Sequence, residues 1–440
     1  MSNVKNHQKL GVLFVGLGSV SSTLIAGVEA IKKGLAAPIG SQALLGHVFH
    51  NGKTQRIKEL LPLANLDEMA FGGWDIFPDS CYESAKKAKV LDTDLLEQLK
   101  AGLEKIHPFT AVFDPSSQKV LKGTHVKRAS SKKEWVDQIR KDIQEFRKSQ
   151  GVSRVVVVVC NSTEIYRSGA ASRSMDDFDK ALAEEAAWIS PSVAYAAAAI
   201  EEGVPCINAT PSCGFDAPFF MARARELGVP LTGKDLKTGQ TFLKTVLAPA
   251  LKIRMLGLSG WYSTNILGNR DGEVLADPES NRTKIESKQS VLSSILDPKL
   301  YPELYGKYAH QVRIDFYPPR GDNKEAWDNI DIFGWLGYPM QIKVNFLCRD
   351  SILAAPLLLD LILFIDLAKR ARRGGVQTWL SLYHKSPIFE RPEDRVHDLF
   401  LQYAEFEKTL THLADQMAHT DIQEGHPSRP GTLRAEAIKD

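Results

Sequence analysis

Arg154 to Cys160 reads RVVVVVC and is followed at once by four polar residues, Asn161-Ser162-Thr163-Glu164. β-Branched residues favour extended backbone, and a strand without polar alternation must be covered on both faces, as the strands of a parallel sheet are. Parallel neighbours need crossover connections, usually helices. Polar side chains directly after such a strand stand at the sheet's C-terminal edge, where open α/β sheets bind ligands. Ser190-Pro191 then supplies an N-cap and a first helical residue, and Gly203 ends that helix before Pro205. Val204 to Asn208 is a further short buried strand. The expected fold class is α/β with a doubly wound sheet.

The same unit opens the chain. Leu10 to Val15 is apolar, Gly16-Leu17-Gly18-Ser19-Val20-Ser21-Ser22-Thr23 follows, and Leu24, Ile25, Val28 and Ile31 carry a helical pattern to Gly34. Strand, glycine turn and helix aim backbone N–H groups at a diphosphate. Ser21 stands where the dinucleotide fingerprint has its third glycine, and no Asp or Glu occurs between Gly34 and Gly52, where the ribose-binding acid belongs. An ordinary strand-to-helix turn therefore stays open beside a dinucleotide site. Gly72-Gly73 permits close backbone approach, which makes Asp75 the alternative ribose acceptor, with a plain turn aspartate as the competing explanation. Lys132 to Lys148 is charged and amphipathic, as a surface helix is.

At 440 residues the chain is long enough for two or three domains. A net charge of +2 without a basic block argues against nucleic-acid and membrane-surface partners. Five widely spaced cysteines without a CxxC pair point to a reducing compartment, and no His, Asp or Cys cluster has metal-ligand spacing, so no metal is expected. The first ten residues lack a signal-peptide apolar core. Ile352 to Leu367 is the most apolar run, but Pro356, Asp360 and Asp366 make it a buried helix and not a membrane span. A cytoplasmic protein is expected.

Near Gly233 to Thr241 the character changes. Val312, Ile314 and Phe316 alternate with Arg313, Asp315 and Tyr317, and Ile342, Val344 and Phe346 with Lys343 and Asn345. Alternation marks a sheet buried on one face, typically antiparallel. The expected organisation is a Rossmann-like nucleotide-binding domain over residues 1–240, an inserted α+β sheet domain over 241–350, helices returning to the first domain over 351–424, and a tail over 425–440. Gly260 to Lys288 concentrates Asn265, Asn269, Asp271, Lys284 and Lys288. Lysines four apart on a helix repel unless an anion such as phosphate lies between them; a solvated helix face is the plainer alternative.

These blocks together resemble the inositol-1-phosphate synthase family, NAD-dependent isomerases that close glucose 6-phosphate into a carbocycle. The resemblance is carried in family order by GLGSVSST (16–23), NSTE (161–164), GKDLKTGQT (233–241), STNILGNRDG (263–272) and TKIESK (283–288). PPRGDNKEAWD (318–328), CRDSILAAPLLLDL (348–361) and WLSLYHKSP (379–387) continue it, so that it spans most of Gly11 to Pro387. The implied reaction oxidises the open-chain sugar phosphate at carbon 5, enolises at carbon 6, closes onto the carbon 1 aldehyde and re-reduces. Each step builds negative charge on oxygen, which cations must meet.

By resemblance, Lys284 and Lys288 contact phosphate or oxyanion, and Lys324 moves the carbon 5 proton and stabilises the aldol step. Lys385 completes the cationic ring and Asp235 orients one lysine. Asn265, Asn269, Asp271 and Thr238 (a serine in the family) bind substrate. Gly16, Gly18, Val20, Ser21, Asp75, Asn161, Thr163 and Glu164 hold NAD, with Asp322 and Asp350 near the nicotinamide ribose. Lys234 stands where many members carry an acid. The family also implies a homotetramer built through the inserted sheet domain. An isocyclase of the same fold acting on fructose 6-phosphate, and a non-catalytic NAD or sugar-phosphate binder, are the alternatives.

Overall fold

The computed structural model describes residues 9–165, 174–214, 216–275 and 291–423. The strands of its first half are β1 (Leu10–Val15), β2 (His47–His50), β3 (Lys53–Arg56), β4 (Met69–Asp75), β5 (Phe109–Thr110), β6 (Arg154–Val159), β7 (Cys206–Asn208) and β8 (Pro230–Gly233). Those that follow are β9 (Gly257–Leu267), β10 (Ala309–Phe316), β11 (Asn323–Phe333), β12 (Pro339–Arg349) and β13 (Gly375–Val376).

Seven of them form one sheet in the order β13-β8-β7-β6-β1-β4-β5, with every pair parallel. β1 is paired along its whole length, Leu10 opposite Met69 and Arg154, Val15 opposite Trp74 and Val159. The expected doubly wound α/β architecture is therefore present. Val156 and Val158 join Leu10, Val12 and Phe14 in a core with the helices Ser19–Lys32, Thr93–Leu103 and Asp350–Arg370. Val155, Val157 and Val159 face the other way, onto the helices Lys132–Gln150 and Pro191–Glu201. Each buried valine contributes roughly 1.5–3 kcal/mol of apolar burial. Strand order reverses between β1 and β6, which puts a topological switch point at their C-terminal ends.

The paired glycines have a different purpose from the one expected. Gly72 and Gly73 lie inside β4, where a Cβ on Gly73 would collide with the Phe14 carbonyl and one on Gly72 would sit 2.7 Å from the Phe146 ring. The close approach is of the protein to itself.

The second sheet has the order β10-β9-β11-β12. β9 with β11 and β11 with β12 are antiparallel, but β10 runs parallel to β9, so the sheet is mixed and not antiparallel throughout. β9 ends at Leu267 and β10 begins at Ala309, a separation along the chain long enough for the connection that a parallel pair requires. The start of the Gly260 to Lys288 stretch is the strand β9, and Lys284 and Lys288 lie outside the described residues. The inner face of the sheet packs on the helix Gln240–Ile253, and Asp328 there accepts from Trp261 Nε1 (2.7 Å), Ser263 Oγ (2.7 Å) and Gln240 Nε2 (2.9 Å). Ile342 and Val344 turn toward this core while Lys343 and Asn345 are exposed, as the alternation predicts; Phe316, at the end of β10, is 37% exposed.

The Asp350–Arg370 helix leads the chain from β12 back to the parallel sheet. It is long and apolar enough to cross a membrane, yet 78% of its most apolar stretch is buried inside the protein. Asp360 within it accepts from Ser41 Oγ (2.5 Å), Gln42 N (2.7 Å), Ala43 N (3.1 Å) and Tyr383 Oη (3.1 Å). Asp366 pairs with Arg154 at 2.6 Å.

Two glycine substitutions separate packing from propensity. A Cβ on Gly27, inside the Ser19–Lys32 helix, would meet nothing within 4 Å. Gly27→Ala should therefore stabilise by about 1 kcal/mol, while Gly73→Ala should destabilise by about 1–3 kcal/mol or more. Urea unfolding of the two variants measures both signs.

Candidate active site

A cleft of about 520 Å³ opens at the switch point. Residues that follow β1, β4, β6 and β7 line one side, and Asp235 and Thr238 after β8, Lys385, and Gly268, Asn269, Gly321, Asp322, Asp350 and Ser351 from the second sheet and its exit helix line the other.

The first side is the glycine turn. Gly16 has φ +96°, and a Cβ there would lie 2.9 Å from Asn161 Cα, so both turn geometry and the neighbouring strand demand glycine. Ser21, in the place of a third glycine, donates its hydroxyl to the carbonyls of Gly16 (2.8 Å) and Gly18 (3.2 Å) and braces the turn from beneath. A Cβ on Gly18 would meet nothing within 4 Å, and the Ser19–Lys32 helix begins there without a side-chain cap. Ser19 and Val20 line the cleft, so unsatisfied helix N–H groups are available to an anion.

Asp75 lines the cleft as well, but its carboxylate already accepts from Leu17 N (2.7 Å) and Phe77 N (3.0 Å), which fixes the glycine turn against the end of β4. Asn161 Oδ1 is buried with no hydrogen-bond partner among the described residues. Glu164 accepts from Ser192 N (2.9 Å) at the start of the Pro191–Glu201 helix, and burial raises its pKa above the ordinary carboxylate value. It braces that helix, and Thr163 beside it is buried. The open approach at Gly18, the free helix terminus and the orphaned Asn161 acceptor fit a dinucleotide.

The opposite side carries the ionic groups. Lys385 Nζ lies 2.9 Å from Asp235 Oδ1, with both side chains about 95% buried. Thr238 Oγ1 donates to Asp350 Oδ1 at 2.6 Å, and Lys324 Nζ lies 3.4 Å from the same oxygen. The Asp350 carboxylate is thus held between a hydroxyl and the Lys324 amino group. Asp322 accepts from Ser351 Oγ (2.7 Å); its pKa is raised by burial, with the Asp350 charge adding to the effect. Cys348 has its thiol pushed up to about 11 by burial, and the charges of Asp350, Lys324, Asp322 and Lys385 all reach it. Five Asp and Lys side chains, Asp235, Asp322, Lys324, Asp350 and Lys385, drawn from four motif blocks converge here.

Other expected residues are placed differently. Asn265 sits inside β9, outside the cleft lining, and donates to Gln240 Oε1 at 2.5 Å. Asn269 lines the cleft and accepts from Gly272 N (3.2 Å). Of Asp271 only the backbone, in the short helix Arg270–Leu275, is described. Ser351 and the facing glycines Gly268 and Gly321, whose backbones leave no room for a Cβ on Gly268, went unnoticed in the sequence. The glycines were visible in two motif blocks, but only the pairing of β9 with β11 shows that they oppose each other.

A parallel dinucleotide-type sheet facing buried lysines and carboxylates across one cleft defines a nucleotide-dependent enzyme of the Rossmann-like class. The family model for myo-inositol-1-phosphate synthase matches residues 10–411. Over 409 residues the chain is 51% identical to inositol-3-phosphate synthase 1 of Bacteroides thetaiotaomicron, covering 92% of this chain and 95% of that one. It is 34% identical to isozyme 1 of inositol-3-phosphate synthase from Arabidopsis thaliana, covering 91% and 85%. The crystal structure of inositol-3-phosphate synthase from Caenorhabditis elegans matches with a TM-score of 0.85 at 26% identity, covering 96% of this chain and 90% of that one. The chain belongs to the myo-inositol-1-phosphate synthase family.

His384, next to Lys385 in the chain, and His397 are both buried within reach of the Lys237 charge. Burial, reinforced by the charge of Lys237, pushes each imidazole down to about 3. An unfolded chain binds these protons near pH 6.5 and the folded one does not until about pH 3. Stability therefore falls as pH drops through that window, by about 1.4 kcal/mol per pH unit for each histidine. Between pH 7 and pH 5, His397→Asn should lose about 2 kcal/mol less than the unsubstituted protein in urea unfolding. Parallel losses in the two proteins would show that His397 is not buried neutral.

Proposed function

We propose that this protein converts glucose 6-phosphate to inositol 3-phosphate. The carrying observation is that Asp235, Thr238, Asp350 and Lys385 line the same cleft as the diphosphate cradle, with Lys324 buried just behind that lining against Asp350, in a chain of this family. Bound NAD would supply reversible hydride exchange at carbon 5, so the reaction has no net redox change. Gly16, Gly18, Val20 and the helix start at Ser19 would hold its diphosphate, and Asn161 its polar edge. Ser21, Asp75, Thr163 and Glu164 keep that cradle in shape.

Lys324, held by Asp350, takes the proton from the carbon 5 hydroxyl and returns it at the end. Between those steps the carbon 6 proton passes to a phosphate oxygen of the substrate and returns to the carbon 1 oxygen on ring closure, while the Lys324 ammonium balances the enolate oxygen. Lys385, fixed by Asp235, supplies a second positive charge to the oxygen that becomes negative as the ring closes. Such charges act strongly because they are buried and already oriented before the reaction begins. The Gln240–Ile253 helix starts beside Lys324 without a side-chain cap: a Cβ on Gly239 would lie 3.7 Å from Lys324 Cε. Its N-terminus suits the substrate phosphate, with Lys284, Lys288, Asn269 and Asp271 as further contacts. Asn265 acts through Gln240, and Asp322 would hold the nicotinamide ribose.

The protein with NAD and glucose 6-phosphate should form inositol phosphate without accumulating NADH, and fructose 6-phosphate should give no carbocycle. NADH accumulation without ring closure would exclude the assignment. Lys324→Ala should lower turnover by at least about 10²–10³-fold while NAD affinity stays within error; unsubstituted-like turnover would remove Lys324 from this role.

The reading extends to a cytoplasmic homotetramer. Five free cysteines suit a reducing compartment. The β11–β12 hairpin exposes Trp335 (86%), Leu336 and Tyr338, and Trp327 is exposed on the sheet's outer face, an apolar surface suited to self-association. Sedimentation should give four times the 48.8 kDa chain mass, and Trp335→Lys combined with Tyr338→Lys should give smaller species.

A further inference from the structure

The loop 234–238 sends its side chains to four separate parts of the chain. Lys234 pairs with Asp216 (2.6 Å), Asp235 with Lys385, and Thr238 with Asp350. Lys237 is outside the cleft lining and donates to Gln402 Oε1 at 2.6 Å, on the helix Leu399–Gln423. Gln402 Nε2 donates to Val396 O (2.7 Å), which fixes the amide with its oxygen toward the lysine. Both Lys237 and Gln402 are buried.

Two further observations make this bond more than packing. Asp235 has φ +60°, a left-handed conformation that a non-glycine residue keeps only where its surroundings hold it. The loop is tied on one side by Asp235 N to Thr210 O (3.0 Å) and zipped to the next segment by Lys385 N to Asp235 O (2.6 Å) and Lys237 N to Tyr383 O (2.8 Å). The Lys237 side chain anchors its far end. Burial pushes the Lys237 amine down to about 7, a free-energy cost that an apolar side chain of equal length would not carry, so stability alone does not account for lysine here. His384, His397 and Asp398 are the titratable neighbours that feel or modify its charge.

We propose that Lys237 is a positioning residue: its bond to Gln402 clamps the loop 234–238 against the C-terminal helix and sets where Asp235 holds the Lys385 ammonium. The inference rests on the proposed role of Lys385 in the substrate wall. The Leu399–Gln423 helix thereby becomes part of the scaffold of the site, although it stands more than 150 residues away from Lys237 in the chain.

Lys237→Met and Gln402→Leu remove the clamp, and Gln402→Glu keeps an acceptor for the ammonium. Five quantities are compared across these variants: kcat and KM for glucose 6-phosphate, NAD affinity, the unfolding midpoint, and the rate at which an amine-acylating reagent modifies Lys385, read by peptide mass spectrometry. Lys237→Met and Gln402→Leu should lower kcat roughly 10- to 100-fold with little change in KM or NAD affinity. They should also speed Lys385 acylation, while Gln402→Glu stays close to the unsubstituted protein in both. Unchanged kcat and unchanged acylation in Lys237→Met and Gln402→Leu would overturn the proposal, as would a Gln402→Glu variant as impaired as Gln402→Leu. If the unsubstituted protein makes no inositol phosphate, it is the functional assignment that fails, and the acylation rates still decide whether Lys237 positions Lys385.

Discussion

Burial of the Asp350–Arg370 helix against the parallel sheet is the constraint on which the rest of the structure depends. Its second half, Leu358 to Ala368, is enclosed on all sides, and each large apolar residue there contributes roughly 1.5–3 kcal/mol. The helix is continuous from Asp350 to Arg370, with Pro356 between its first turn and its buried half, so burying its far end constrains where its first turn stands. That first turn is Asp350 and Ser351, on the cleft wall. Asp360 extends the same control to a second segment: Tyr383 donates to it and lies two residues before Lys385. The hydrophobic core of the nucleotide-type sheet thus sets the positions of charged groups on the opposite wall.

The site concentrates groups that would be unfavourable singly. A buried ammonium or carboxylate loses most of its hydration, and an ion pair repays that only with good geometry and further hydrogen bonds. Here Asp235 meets Lys385 squarely, whereas Asp350 is shared between Thr238 at 2.6 Å and Lys324 at 3.4 Å. The tighter pair suits a fixed charge and the looser one a lysine that must move a proton. Around the glycine turn the polar groups serve a different end. Asp75, Ser21 and Glu164 turn their hydrogen bonds inward, to the backbones of Leu17, Gly16 and Ser192, and leave the open faces of Gly18 and Asn161 to a ligand.

Long, uninterrupted patterns were legible in the chain. Five valines between Arg154 and Cys160 can only be a strand covered twice, and Leu10 to Gly34 carried its strand, turn and helix in order. β4 was missed because Gly72 and Gly73 break its apolar run, and β5, β8 and β13 because two to four residues show no period. β10 was expected to be antiparallel because alternation reports which faces are buried and says nothing of strand direction. The four polar residues after β6 marked the cleft correctly, yet which of them face a ligand depended on partners 28 to 48 residues away.

By itself the sequence determined the doubly wound core, the second sheet with one buried face, and the motif blocks that place the chain in its family. Those follow from local periodicity, backbone preference and residue type, which act over a few positions. Only the tertiary structure decided that Lys385 meets Asp235, that Asp350 is shared by Thr238 and Lys324, and that Lys237 reaches Gln402. Pairings of this kind span 26 to 165 residues and are set by how helices and strands pack, because a side chain's partner is whatever the buried framework brings within about 3 Å of it.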